Sequence, residues 1–148
     1  MSASQEWRKG DYLISTDNNL LDLAVIHGFL TTSYWAEGIP FATVKKSMDH
    51  SLNFGLYRGD QQIGLARVIT DYATFAYIGD VFILEEYRGR GLSKWMMEAV
   101  AEHPELQGLR QWVLFTRDAH GLYEKTGFVR AENAERLMVK RNPDVYKK

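Results

Sequence analysis

The chain has 148 residues, no cysteine and a formal net charge of −1, and 45% of its residues are hydrophobic while 25% are charged. This length is typical of one domain that buries its own core, so we expect residues 1–148 to form a single domain. The absence of cysteine excludes disulfides, thiolate metal sites and a cysteine nucleophile, and the interspersed charges indicate neither a nucleic-acid partner nor a membrane surface.

The first half of the chain predicts a strand, two helices and a hairpin. Residues 11–16 have the pattern of a short strand, and the side chains of residues 17–19 can cap the buried helix that follows. A loop with bulky aromatic residues, 33–41, precedes a second short helix at 43–51. Alternating apolar residues on both sides of residues 58–60 predict a β-hairpin.

In the second half, strands alternate with helices. Residues 75–84 are nearly all apolar, which predicts a central strand, and the amphipathic helix that follows ends before Pro104. Strands at 111–116 and 135–141 flank a helix within 118–128. This order favours an α/β (α+β) domain with a central mixed, mostly antiparallel sheet flanked by helices.

The stretch EEYRGRGLSKWMMEAV places two glycines and two arginines at the start of that amphipathic helix. A helix start leaves amide N–H groups without partners and carries a partial positive charge. Because Gly89 and Gly91 have no side chain, the amides of residues 88–93 can surround a phosphate while the arginines add charge. A tight strand-to-helix turn with solvated arginines is the alternative interpretation. The P-loop and dinucleotide-binding patterns are both absent.

Two motifs resemble the GNAT superfamily of acyl-CoA-dependent N-acetyltransferases. The superfamily's pyrophosphate loop has Arg or Gln, two residues, Gly, one residue, then Gly or Ala, and this chain has Arg88, Gly91 and Ser93 in those positions. Residues 121–128 (GLYEKTGF) resemble its C-terminal helix and turn. The resemblance implies a sheet with two splayed central strands and direct attack of a primary amine, on a small molecule or peptide, on acetyl-CoA. It assigns the pyrophosphate site to Arg88, Gly89, Arg90, Gly91, Leu92 and Ser93.

The resemblance also assigns roles to three further positions. A main-chain N–H near Ile83 would stabilise the oxyanion, and Tyr123 would protonate the departing thiolate. Thr116 stands where the superfamily often has an asparagine that binds the pantetheine amide. A phenol with an ordinary pKa near ~10 is protonated at neutral pH, which suits an acid. Without the motif, packing would be the expected role of Tyr123.

Two residues are candidates for the base that deprotonates the amine. Asp80 is the one carboxylate on an otherwise apolar strand, where a charge is costly unless it is paired. A salt bridge to Arg67 or a bond to a loop amide is the alternative role. His120 lies three residues before Tyr123 and therefore on the same helix face, although a helix-start or surface role is also open to it. The histidines lack metal-ligand spacing, so no metal is expected.

The loop between the first two helices predicts the acceptor pocket. Tyr34 and Trp35 can cover a flat or cationic acceptor by stacking or cation–π contact, with Glu37 as a counter-charge. Anchoring of the loop to the core by Trp35 is the alternative. The identity of the acceptor does not follow from these residues.

Three functional hypotheses therefore stand. The first is an N-acetyltransferase, and the second is a catalytically inactive acyl-CoA-binding sensor or partner-binding module. The third is a protein-only interaction domain, which would bind no CoA. Because the N-terminal residues lack the apolar core of a secretory signal and no apolar run could span a bilayer, we expect a cytoplasmic protein. Dimers are common among proteins of this kind, which leaves a homodimer open.

Overall fold

The computed structural model describes residues 3–147, which form six strands and four α-helices. The strands are β1 (Glu6–Lys9), β2 (Tyr12–Ser15), β3 (Leu52–Arg58), β4 (Gln61–Thr70), β5 (Phe75–Ile83) and β6 (Gln111–Leu114). The helices are α1 (Leu23–Leu30), α2 (Phe41–Asp49), α3 (Leu92–Glu102) and α4 (His120–Glu124).

All six strands belong to one sheet in the order β1-β2-β3-β4-β5-β6. Neighbours pair antiparallel except β5 and β6, which pair parallel. Parallel pairing follows because α3 occupies the connection between these two strands and carries the chain back to the starting edge. The prediction of a mixed, mostly antiparallel sheet flanked by helices is confirmed.

Two hairpins build the antiparallel part of the sheet. The predicted β3–β4 hairpin is present, and Gly59 supplies the positive φ of +58° in its turn. The β1–β2 hairpin was not predicted from the sequence. Its first strand, Glu6–Lys9, is mostly exposed, so it lacks the alternation of apolar residues by which a half-buried strand is recognised.

Side chains that alternate along the strands fill two cores on opposite faces of the sheet. Leu65 and Phe82 pack with α1 and α2, whereas the adjacent residues Ala66 and Ile83 pack with α3. Consecutive side chains of a strand point to opposite faces, so β4 and β5 each contribute to both cores. No helix in the described part of the chain is long and apolar enough to cross a membrane.

The predicted C-terminal strand at 135–141 is wrong. A single 3₁₀ turn, Ala134–Arg136, begins this region, and no strand follows it as far as residue 147. Leu137 and Val139 are each 56% exposed and Met138 is 91% exposed. Alternating apolar residues suit a strand only where a neighbouring strand pairs with them, and pairing is a property of the fold rather than of the segment.

Because residues 3–147 contain no C-terminal strand, the two strands that separate, β5 and β6, lie at one side of the sheet rather than at its centre. β5 was predicted to be central, but only β6 lies between it and the edge. Its pairing with β6 covers Phe75–Ile78, and β5 then continues to Ile83 with β4 as its only partner. The two strands therefore separate at one side of the sheet, beyond Ile78 and Leu114.

His103, at the end of α3, is a buried titratable group. It is 1% exposed, its ring lies 5.7 Å from that of Phe54, and its Nδ1 accepts a hydrogen bond from the Glu105 N–H at 3.1 Å. Burial lowers the pKa of the His103 imidazole, and the charge of Glu105 opposes this shift only in part. The unfolded chain therefore binds a proton at a higher pH than the folded chain.

This linkage predicts that the free energy of unfolding falls as the pH drops below about 6.5, the ordinary pKa of histidine, towards the lower pKa of the folded state. Urea unfolding between pH 7.5 and 5.0 measures the slope. In His103→Asn the slope should become shallower, whatever the absolute stability of the variant. His50→Asn, at an exposed histidine, is the matched control, and an unchanged slope in His103→Asn would contradict the prediction.

Candidate functional site

The glycine-rich turn lies between the end of β5 and the start of α3. Gly89 and Gly91 have φ values of +77° and +76°, which side chains other than glycine rarely adopt. A Cβ at either position would meet no atom within 4 Å, so the turn is open on that side. α3 begins at Leu92 without a side-chain cap, and its first N–H groups are therefore available to an anion.

The side chains of both arginines in this turn contact other residues of the chain. The Arg88 Nε donates to the carbonyl oxygen of Ile83 at 2.9 Å, which ties the turn to the end of β5. The Arg90 guanidinium donates to the Tyr12 hydroxyl at 3.0 Å and lies 5.3 Å from the centre of the Tyr87 ring. These contacts hold the turn in shape and leave other guanidinium N–H groups for a ligand. Leu92 is buried and Ser93 is half-buried.

Tyr123 lies in α4 with its ring buried, at 8% exposure. Burial raises the pKa of its phenol, and the neighbouring phenol of Tyr34 raises it further. None of the hydrogen bonds in residues 3–147 uses the Tyr123 hydroxyl. Tyr123 therefore carries a proton at neutral pH and can donate it.

Thr116, His120 and Tyr123 line one cavity of about 810 Å³, beside β6. His120 and Tyr123 were expected to share a helix face, and both line this cavity. The Thr116 hydroxyl oxygen accepts the N–H of Ala119 at 3.0 Å, so it caps the turn that leads into α4. The Thr116 side chain thus supports the helix that carries Tyr123. The glycine-rich turn does not line this cavity.

Asp80, in β5, connects this strand to β4 and to the aromatic loop between α1 and α2. Its two carboxylate oxygens accept from the Trp35 Nε1 at 2.9 Å and from the Arg67 Nε at 2.7 Å. Arg67 also donates to the Ser51 hydroxyl at 3.1 Å. The Arg67 and Asp80 side chains are only 16% and 12% exposed, so the salt bridge considered from the sequence is present and partly buried.

The backbone at Asp80 is left-handed, with φ +53°. The register of β4 and β5 shifts here, because Arg67 faces Gly79 whereas Leu65 faces Phe82. Two residues of β5 therefore oppose one of β4, which is a β-bulge. Such a conformation costs about 1 kcal/mol or more in a residue other than glycine, and the hydrogen bonds to the Asp80 carboxylate offset that cost.

The aromatic loop reaches the same region. The Trp35 ring contacts the rings of Phe29 at 6.0 Å and Tyr34 at 5.0 Å, so it both anchors the loop and faces the site. Tyr34 is 59% exposed, and the Arg117 guanidinium lies 3.9 Å from the centre of its ring. Glu37 is exposed at the end of the loop.

Sequence reasoning missed Arg117 altogether. It follows the end of β6 in the segment Thr116–Arg117–Asp118, and ligands in such folds bind beyond the carboxyl ends of strands. That rule could have selected the segment. It could not have selected Tyr34 as the ring that Arg117 covers, because the two residues lie in separate halves of the chain.

Comparisons with known proteins agree on one family. A family model for the GNAT acetyltransferase domain matches residues 49–130. A protein of Gibberella zeae named "Putative acetyltransferase" is 36% identical over 144 residues, and the match covers 82% of this chain and 80% of that protein.

Solved structures show the same fold. A GNAT-family protein of Xanthomonas campestris pv. campestris superposes with a TM-score of 0.89 at 51% identity, over 93% of this chain and 97% of its own. A structure from Clostridium acetobutylicum, determined with acetyl-CoA, has a TM-score of 0.62 at 14% identity, over 88% of this chain and 94% of its own. At that identity the second similarity concerns the fold alone.

The partly buried ion pair predicts a large stability effect at Asp80. Asp80→Asn keeps an oxygen that can accept from Trp35 but leaves the Arg67 guanidinium without its charge partner. We expect the free energy of unfolding to fall by about 2 kcal/mol, as measured by urea denaturation. Asp49→Asn removes the exposed pair with Lys45 and should cost less than about 0.5 kcal/mol. Equal effects of the two substitutions would show that the Asp80 pair is not specially stabilising.

Proposed function

This chain belongs to the GNAT family of acetyltransferases, and on that premise we propose that it is an active enzyme. It transfers an acetyl group from acetyl-CoA to a primary amine of a small molecule or peptide. The observation that carries the proposal is Tyr123, a buried residue whose hydroxyl is protonated and has no hydrogen-bond partner in residues 3–147. A domain that only bound acyl-CoA would need the glycine-rich turn but no such acid.

The glycine-rich turn fits the diphosphate of acetyl-CoA. Its two left-handed glycines leave open space where a Cβ would stand, and the helix behind it lacks a side-chain cap. The first N–H groups of α3 would hold the phosphate oxygens, with charge supplied by Arg88 and Arg90. When bound, acetyl-CoA supplies the activated acyl group as a thioester. Residues Gly79–Ile83 lack a partner strand on the β6 side. They would face the pantetheine arm of acetyl-CoA.

Two parts of the protein would act on the charges that develop in the reaction. A main-chain N–H near Ile83 would donate to the carbonyl oxygen as it becomes negative. Tyr123 would give its proton to the sulfur that departs, because the phenol is protonated at neutral pH and its hydroxyl is free. Thr116 would act indirectly, by holding the first turn of α4.

The amine must lose a proton, and Asp80 and His120 remain the candidates to accept it. Both Asp80 oxygens already accept hydrogen bonds from Arg67 and Trp35, which makes this carboxylate less available as a base. We therefore propose Asp80 chiefly as a positioning residue that holds the aromatic loop against β5. His120 lines the same cavity as Tyr123 and is the better placed of the two to accept the proton.

The role of Tyr123 predicts a specific kinetic defect. Tyr123→Phe keeps the ring in its packed position against Phe128, 6.1 Å away, and removes only the hydroxyl. We expect kcat to fall by about 100-fold or more, while the Kd for acetyl-CoA changes less than about twofold. Free-thiol release over a panel of amines measures kcat, and calorimetry measures the Kd.

Tyr72→Phe is the control for this experiment, since Tyr72 lies in the exposed turn between β4 and β5 and should leave both quantities unchanged. Turnover by Tyr123→Phe equal to the wild-type rate would exclude Tyr123 as the acid. Binding of acetyl-CoA without turnover on any amine of the panel would favour the inactive binding module instead.

The glycine-rich turn predicts a binding defect that is separate from stability. Gly91→Ala places a Cβ in the open side of the turn and forces φ +76° on alanine, which costs about 1–2 kcal/mol. We expect the Kd for acetyl-CoA to rise at least about tenfold, as measured by calorimetry. Gly59, in the β3–β4 turn, also has a positive φ, +58°, and open surroundings, so Gly59→Ala should lose stability in the same way and keep its affinity. Equal affinities of the two variants would exclude the turn as the binding site.

A further inference from the structure

We propose that the acceptor amine carries an anionic group, a carboxylate or a phosphate, and that Arg117 binds this group. The inference rests on the proposed function, because it names the class of amine that the same site accepts. It also replaces the expectation of a cationic acceptor facing Glu37. Three observations carry it: the contact of Arg117 with Tyr34, the neighbours that position that ring, and the charges that remain unpaired around it.

The Arg117 guanidinium contacts an aromatic ring rather than an acid. Its central carbon is 3.9 Å from the centre of the Tyr34 ring, the shortest such contact in the part of the chain that the structure describes. A cation–π contact occupies no acceptor oxygen, and none of the hydrogen bonds in residues 3–147 uses an Arg117 side-chain N–H. These N–H groups stay available, and they form the planar fork that fits two oxygens of a carboxylate or phosphate.

The ring beneath Arg117 is held in place by neighbours. Trp35 packs edge-on against Tyr34 at 5.0 Å, and the Trp35 Nε1 donates to Asp80 at 2.9 Å. Tyr34 is also close enough to Tyr123 to raise the pKa of its phenol. Tyr34, and with it Arg117, therefore lies in the neighbourhood of the proposed acid.

The charges near the site favour an anion. None of the ion pairs in residues 3–147 involves Arg117, although Asp118 is its neighbour and Glu37 lies in the facing loop. The Asp80 carboxylate is already paired with Arg67, so it is not available for an ammonium group. Burial and the charge of Asp80 raise the pKa of the Tyr77 phenol, and the nearby cations Arg67 and Arg141 oppose this rise in part. Arg141 therefore adds a second cation near β5 that has no ion-pair partner among the described residues.

Matched pairs of amines test this inference by binding. The probes are β-alanine against β-alaninamide, and O-phosphoethanolamine against ethanolamine, each titrated by calorimetry into the full chain saturated with CoA. In at least one pair, we expect the amine with the carboxylate or phosphate to bind at least about tenfold more tightly than the amine without it. Preference in the first pair identifies a carboxylate, and preference in the second pair identifies a phosphate.

Arg117→Gln should remove this preference. The amine with the anionic group should bind at least about tenfold more weakly, and the amine without it should bind as it does to the wild type. Arg117→Lys, which keeps the charge but not the planar fork, should restore the preference in part. Arg58→Gln is the control, because Arg58 is exposed at the end of β3 in the β3–β4 hairpin, and it should bind all four probes as the wild type does.

The outcomes separate this inference from the proposed function. Equal binding within both pairs, or a preference that survives Arg117→Gln, would overturn the anionic acceptor even if thiol release showed transfer to other amines. Conversely, an Arg117-dependent preference without thiol release would support the anion site and refute the enzymatic proposal. Transfer to the anionic amine, with a raised KM and a nearly unchanged kcat in Arg117→Gln, would support both.

Discussion

The early end of the pairing between β5 and β6 is the constraint on which the rest of the site depends. The two parallel strands are hydrogen-bonded only as far as Ile78 and Leu114. Beyond these residues the two chain segments are no longer paired with each other. β5 continues into the glycine-rich turn and α3, whereas β6 leads through Thr116 into α4. Both connections leave from the carboxyl ends of these parallel strands, so the glycine-rich turn and α4, which carries Tyr123, both follow the point where the pairing stops.

A second constraint holds the acceptor side of the candidate site in place. The Asp80 carboxylate accepts hydrogen bonds from both Arg67 and Trp35, and it thereby fastens the loop after α1 to two strands of the sheet. Phe29, near the end of α1, stacks on Phe82 at 4.1 Å and joins the helix that precedes this loop to β5 through apolar contact. The position of Tyr34, and hence of Arg117 above it, follows from this attachment.

Three residues of the candidate site have left-handed backbone conformations. Asp80 at the β-bulge and the two glycines of the turn all have positive φ values, although each lies in or beside an otherwise regular strand or helix. Conformations of this kind are retained where the surrounding structure holds them and where function uses them. Hydrogen bonds to its carboxylate hold Asp80 in place, whereas in the turn glycine removes the steric cost.

The sequence by itself determined the features that depend on neighbouring residues. These are the β3–β4 hairpin, the amphipathic helix after the glycine-rich turn, and the two motifs that indicated the GNAT family, because turn chemistry, helical periodicity and motif spacing act over a few residues. Only the tertiary structure decided that Asp80 pairs with both Arg67 and Trp35, that Arg117 covers Tyr34, and that residues 135–141 find no partner strand. Each of these depends on which distant segments meet, and strand order and loop packing settle that question rather than local pattern.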